Sequence, residues 1–211
     1  MSESCQIRNL TSIYELYFPD KVDGLFVDVG AHNGYEFSNT WGLAQAGWSG
    51  ICVEPVPELA ADCRKLYLDN SKITTLEMCI GNFTGEVKLY LTGNPTIDEE
   101  TVNMSPWDCV YDKNNFMMSP ISTLDDVLIK NDITSKFQVL SIDVEGAELH
   151  VLTGFTWQMW MPNMIIIETH ENNPDSRKSY HVDAINKWFD GTIYHKIQID
   201  GLNAIYVLDV K

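Results

Sequence analysis

The stretch Leu25-Phe26-Val27-Asp28-Val29-Gly30-Ala31-His32-Asn33-Gly34 constrains the chain more than any other. An apolar, β-branched run that ends in an acid reads as a strand buried on both faces. The two glycines of the following turn let the backbone bend sharply and come close to a bound molecule. Helical spacing follows from Tyr35 to Ala46, so the unit is strand, tight turn, helix.

The same unit recurs along the chain. Gly50 to Glu54 is a second buried strand that ends in an acid, broken by Pro55 and Pro57, and Glu58 to Leu68 is helical. Ile73 to Ile80 reads as a third strand closed by Gly81. Gly85 to Leu91 alternates with period two, as an extra strand with one solvated face. Residues 92–119 interrupt the rhythm with a polar segment that carries Trp107, Met117 and Met118. An insert of this length in a compact domain is usually functional, and a substrate lid is expected here. Ser122 or Thr123 then caps a helix with Asp125 and Asp126 in its first turn. Phe137 to Ile142 is a fourth strand ending in Asp143, and Glu145 to Leu152 is a helix closed by Gly154. Asn163 to Ile167 is a fifth strand, followed by Glu168-Thr169-His170. A helix over Ser179 to Phe189 and two strands near Thr192–Ile197 and Asn203–Leu208 complete the chain.

Alternating strands and helices predict an α/β, doubly wound, Rossmann-like fold. Its sheet is mostly parallel, with an antiparallel C-terminal edge hairpin turning at Asp200-Gly201. One domain over residues 1–211 is expected, with residues 1–23 as an N-terminal helical extension ending before Pro19.

Charge and cysteine usage bound the function. Thirty acids against fourteen bases give a net charge of −16, which disfavours nucleic acid as a partner. The five cysteines form no Cys-x-x-Cys pair, so structural zinc and a disulfide framework are not expected and a reducing, cytoplasmic setting is. No apolar run of about eighteen residues suggests a membrane span, and the N-terminus lacks the pattern of a secretory signal. The oligomeric state is left open by these features.

The chemistry sits where strands end, because ligands of open α/β sheets bind outside the carboxyl ends of the strands. Asp28, Glu54, Asp143, Glu168 and His170 all take such positions. Glu54 follows Gly34 by twenty residues at the tip of the next strand, the place of an acid that binds ribose hydroxyls. The turn Gly30-Ala31-His32-Asn33-Gly34 lacks the middle glycine of a dinucleotide turn, and Asp28 would repel a pyrophosphate. Both features favour S-adenosylmethionine, which carries a sulfonium and an ammonium and no phosphate. An NAD-linked enzyme is disfavoured by the missing glycine.

Three stretches together resemble the FkbM-type S-adenosylmethionine-dependent methyltransferases: Phe26 to Gly34, Thr123-Leu124-Asp125-Asp126-Val127-Leu128, and Leu140-Ser141-Ile142-Asp143-Val144-Glu145-Gly146-Ala147-Glu148. Val53-Glu54-Pro55 and Cys79-Ile80-Gly81-Asn82 match in position. Ser141 stands where the family usually carries lysine, and His32 where it often carries asparagine or a small residue. The resemblance implies a class I methyltransferase fold and S-adenosyl-L-methionine as cofactor. It implies that Asp28, Gly30, Ala31, His32, Asn33 and Gly34 surround the methionine half, that Glu54 binds the ribose, and that Cys79 and Ile80 flank the adenine. It also places Asp143 and Glu145 near the reactive methyl.

The expected activity is methyl transfer to an oxygen of a small hydroxylated acceptor such as a sugar. His170 is the first candidate for the base and Asp143 the second. No resident metal is expected, although Asp143, Glu168 and His170 offer an alternative set of divalent-ion ligands. The rival reading is a catalytically silent protein that keeps the fold and binds the nucleoside.

Overall fold

The structure is a computed structural model that describes residues 5–19, 23–91, 95–97, 114–134, 136–171 and 180–208. In chain order its elements are α1 (Leu10–Tyr17), β1 (Leu25–Val29), α2 (Trp41–Gln45), β2 (Ser49–Val53), α3 (Pro57–Leu66), β3 (Ile73–Leu76), β4 (Cys79–Gly81), β5 (Gly85–Tyr90), β6 (Phe116–Thr123), α4 (Leu124–Lys130), β7 (Val139–Ile142), α5 (Glu148–Thr153), α6 (Trp157–Trp160), β8 (Met164–Glu168), α7 (Tyr180–Asp190), β9 (Tyr194–Ile199) and β10 (Asn203–Leu208).

The apolar runs pair side by side in a seven-stranded sheet, ordered β3-β2-β1-β7-β8-β10-β9. All neighbours from β3 to β8 are parallel, whereas β10 runs antiparallel to both β8 and β9. The C-terminal hairpin is therefore present, with its second strand inserted between β8 and β9. Alternate residues of each strand feed two apolar layers. Phe26, Cys52, Val139, Ile166 and Ile205 pack with α1, α2 and α3 on one face. Val27, Ile51, Leu140, Ile167 and Ala204 pack with α4, α5, α6 and α7 on the other. Helices on both faces make the sheet doubly wound, and the strand order reverses between β1 and β7. A fully buried Phe26 or Leu140 contributes about 1.5–3 kcal/mol. This continuous apolar centre holds the strand ends in place.

Several boundaries differ from those the residue pattern predicts. The helix expected over Tyr35 to Ala46 is reduced to Trp41–Gln45. Asn33 Oδ1 accepts the N–H groups of Tyr35 and Glu36, Ser38 Oγ accepts those of Thr40 and Trp41, and Phe37 has φ +56°. These local bonds compete with the helix for its backbone donors. The helix expected from Glu145 begins at Glu148, because Glu145 and Gly146 have φ values of +58° and +106°.

The third strand divides in two. β3 ends at Leu76 beside Val53, and β4 joins a separate sheet of order β4-β6-β5. The end of the predicted insert belongs to that sheet, since β6 pairs antiparallel with β5 from Phe116 onward. Met117 is half-buried against Leu89, while Met118 is exposed. Trp107 lies outside the described residues. Thr123 caps α4 by accepting the N–H of Asp126 at 3.1 Å, and Ser122 belongs to β6. Among the described residues, no helix is long and apolar enough to cross a membrane.

Candidate active site

A cavity of about 860 Å³ opens at the carboxyl ends of β1, β2, β7 and β8, over the point where the strand order reverses. This size falls within the range of small-molecule sites.

Its floor is the turn after β1. Gly30 has φ +88°, and its N–H and that of Ala31 both donate to the Val53 carbonyl, at 2.9 and 3.0 Å. A Cβ at Gly30 would collide with the Asp143 carbonyl oxygen. Only glycine lets the β1 and β7 ends come this close. Ala31 and His32 line the cavity beside Gly30. Asn33 and Gly34 fall outside the lining. Asn33 closes the turn, and the Gly34 carbonyl accepts the Tyr67 hydroxyl at 3.0 Å.

Two buried acids flank this turn. Asp28 is 4% exposed and accepts the Thr40 hydroxyl at 2.6 Å. Burial pushes its carboxyl up to about 6, partly countered by hydrogen bonds from Thr40 and Ser141. Ser141 is in register with Asp28 on the neighbouring strand. Glu54 is also buried, and its two oxygens accept the His32 and Val56 N–H groups, each at 2.9 Å. Burial raises its pKa, countered by these bonds. Glu54 thus ties the β1 turn to the β2 turn while lining the cavity. On the adjoining wall, Cys79 and Ile80 of β4 contribute an apolar surface. Burial pushes the Cys79 thiol up to about 11, so it is neutral at physiological pH.

The opposite wall comes from β7 and β8. Asp143 donates its N–H to the Val29 carbonyl at 2.9 Å and lines the cavity together with Glu145. Glu168 ends β8, and its Oε1 lies 2.8 Å from His170 Nε2. His170 has φ +52° and is anchored by its N–H to the Leu202 carbonyl at 2.9 Å. One carboxylate oxygen each of Asp143, Glu145 and Glu168 lies within 4.8 Å of the others. Among the described residues, those three carboxylates form a convergent group that could hold a cation, with Glu145 in the place that the residue pattern gave to His170.

Parts of the lining carry no chemical signature in sequence. Cys5 and Gln6 precede α1, Phe37 to Asn39 occupy the irregular segment before α2, and Thr96 and Ile97 follow β5. The last two belong to the insert expected to act as a lid. Ser38-Asn39-Thr40, a polar triplet inside an apparent helix, was the one available signal that this segment serves the site.

The family profile described as the Methyltransferase FkbM domain matches residues 28–191. None of the curated proteins matches the chain. Among solved structures, the O-methyltransferase from Bacillus cereus in complex with SAH superposes with a TM-score of 0.54 at 12% identity, over 94% of this chain and 78% of that one. The O-methyltransferase TomG from Streptomyces achromogenes, in complex with SAM, gives 0.53 at 12% identity over 94% and 78%. The ribosomal protein L11 methylase from Lactobacillus delbrueckii subsp. bulgaricus gives 0.50 at 11% identity over 96% and 79%. At such identities the likeness is one of fold, and the fold is that of the class I methyltransferases.

Proposed function

Because the chain belongs to the FkbM methyltransferase domain family, we propose that it transfers the methyl group of S-adenosylmethionine to a hydroxyl oxygen of a small acceptor such as a sugar. The observation that carries this reading is the pair of buried acids, Asp28 and Glu54, on either side of the Gly30 turn. Glu54 is fixed by two backbone donors and accepts the ribose hydroxyls with its remaining lone pairs. Asp28 offers a buried negative charge to the cationic methionine end, and Cys79 and Ile80 give the adenine an apolar wall. A cofactor with a pyrophosphate would meet repulsion from Asp28.

Methyl transfer is an in-line displacement. A lone pair of the acceptor oxygen forms the new C–O bond while the C–S bond breaks and its electron pair stays on sulfur. Positioning supplies most of the acceleration. The acceptor proton passes to His170, the proposed base. Glu168 Oε1, 2.8 Å from His170 Nε2, stabilises the imidazolium formed. Asp143 is the second candidate for this role. The net charge of −16 favours a neutral or cationic acceptor over a nucleic acid, and a cytoplasmic setting fits the cysteine pattern.

Calorimetry with S-adenosylmethionine and S-adenosylhomocysteine tests the cofactor assignment, and absence of binding by both removes it. Release of S-adenosylhomocysteine across a panel of hydroxylated compounds tests catalysis. Binding without turnover on any member would favour the silent-binder reading.

A further inference from the structure

We propose that Glu148, which does not line the cavity, is a positioning residue that shapes both strand-end turns around it and through them sets the affinity for the cofactor. The proposal rests on the methyltransferase reading above. Glu148 closes the most specific motif of the chain, Asp143-Val144-Glu145-Gly146-Ala147-Glu148, yet no chemistry assigned to the site uses it.

Its side chain is 3% exposed, at the start of α5. Its Oε1 accepts the N–H of Val144 at 3.1 Å and that of Gly146 at 3.0 Å. Those donors flank Glu145, so one carboxylate oxygen draws the backbone into a tight curl around itself. The curl explains the left-handed values of +58° at Glu145 and +106° at Gly146. A bulky acidic side chain does not take that conformation unless the surroundings impose it.

The consequence reaches beyond Glu145. The turn that Glu148 holds starts at Asp143, whose N–H bonds Val29 and whose carbonyl lies against Gly30. Any displacement of the Asp143 carbonyl therefore presses on the turn proposed to receive the methionine end of the cofactor. The β1 turn is pinned from its other side by Glu54, through the His32 N–H. The two glutamates hold opposite ends of one contiguous backbone surface, one from within the cavity and one from behind it.

Three substitutions test this with the full chain and S-adenosylhomocysteine as the probe. Glu148→Gln keeps an oxygen that accepts both N–H groups, and its dissociation constant should stay within about threefold of wild type. Glu148→Asp is one methylene shorter and Glu148→Ala has no acceptor, so both should bind about tenfold more weakly or worse. Calorimetric stoichiometry reports the folded fraction, and the dissociation constant reports the affinity of that fraction, which a purely structural role would leave unmoved. Should Glu148→Ala not fold, Glu148→Asp carries the comparison. Wild-type affinity in the folded fraction of Glu148→Asp would overturn the proposal, as would equal weakening by Glu148→Gln. Absence of binding by the wild-type protein would instead sink the cofactor assignment itself.

Discussion

Asp28 allows a prediction whose size and sign both follow from its surroundings. In the folded, ligand-free protein its carboxyl titrates near 6, against an ordinary 3.8, because burial disfavours the charged form. Below 3.8 the group is protonated in the folded and unfolded chains alike, and it costs nothing. Between 3.8 and 6 the unfolded chain releases a proton that the folded chain retains, so stability falls as pH rises. Above 6 the penalty is complete, and at 1.36 kcal/mol per unit it amounts to about 3 kcal/mol. Asparagine at this position keeps an oxygen for the Thr40 hydroxyl and carries no charge. The Asp28 charge also helps to raise the pKa of the neighbouring Glu54, so its removal relieves a repulsion at alkaline pH and shifts the difference in the same direction. Asp28→Asn should therefore match wild type at about pH 4 and exceed it by up to about 3 kcal/mol at about pH 8, or some 6–12 °C in melting temperature. Urea denaturation at a series of pH values measures the difference directly. The same variant should bind S-adenosylmethionine about tenfold or more weakly at about pH 8, because the buried charge is gone. A stability difference that does not vary with pH, or a variant less stable than wild type on the alkaline side, would refute the reasoning.

Further outcomes follow from the other walls of the cavity. Glu54→Gln sets an amide NH₂ against one of two backbone donors and orphans it, which should cost about 1–3 kcal/mol of stability and at least about tenfold in cofactor affinity; unchanged affinity would remove the ribose role. Gly30→Ala, with φ +88° and the Asp143 oxygen in the way, should lower stability by more than about 2 kcal/mol in thermal melts. His170→Gln should reduce kcat by about 10²–10⁴ with cofactor affinity intact, and parallel loss of both would count against a base at this position.

The framework of the fold was legible because buried parallel strands are written as unbroken apolar runs. Val27, Ile51, Leu140 and Ile166 all belong to such runs, and each run ends in an acid at the cavity. What was not legible depends on contacts distant in sequence. β6 hides behind Pro120 and its serines, and only its pairing with β5 and β4 makes it a strand. The early end of β3 follows from a separate sheet claiming Cys79 to Gly81. Residues 35–40 have helical spacing, but the side chains of Asn33 and Ser38 take the donors that a helix would need. Cys5 and Gln6 carry no motif and reach the cavity because Ile7 and Leu10 anchor the N-terminal segment on the sheet.

The placement of backbone strain ties these observations together. Six described non-glycine residues have left-handed φ: His32, Phe37, Asp132, Glu145, Met161 and His170. Asp132 and Met161 directly follow the C-terminal regions of α4 and α6, where helices commonly unwind through this conformation. The other four all line the cavity. His32, Glu145 and His170 sit just beyond β1, β7 and β8, three adjacent strands of the sheet. Each would relax into an ordinary conformation if its loop were free, at a gain of about 1–2 kcal/mol. Each is instead held by backbone bonds: His32 to Glu54, the residues flanking Glu145 to Glu148, and His170 to Leu202. The apolar sheet supplies the stability that tolerates this strain, and the acids buried at its edge, Glu54 and Glu148, direct it toward the cavity. Glu54 and Glu148 therefore serve the fold and the site through the same hydrogen bonds, so substitutions that remove an accepting oxygen from either should change stability and ligand affinity together.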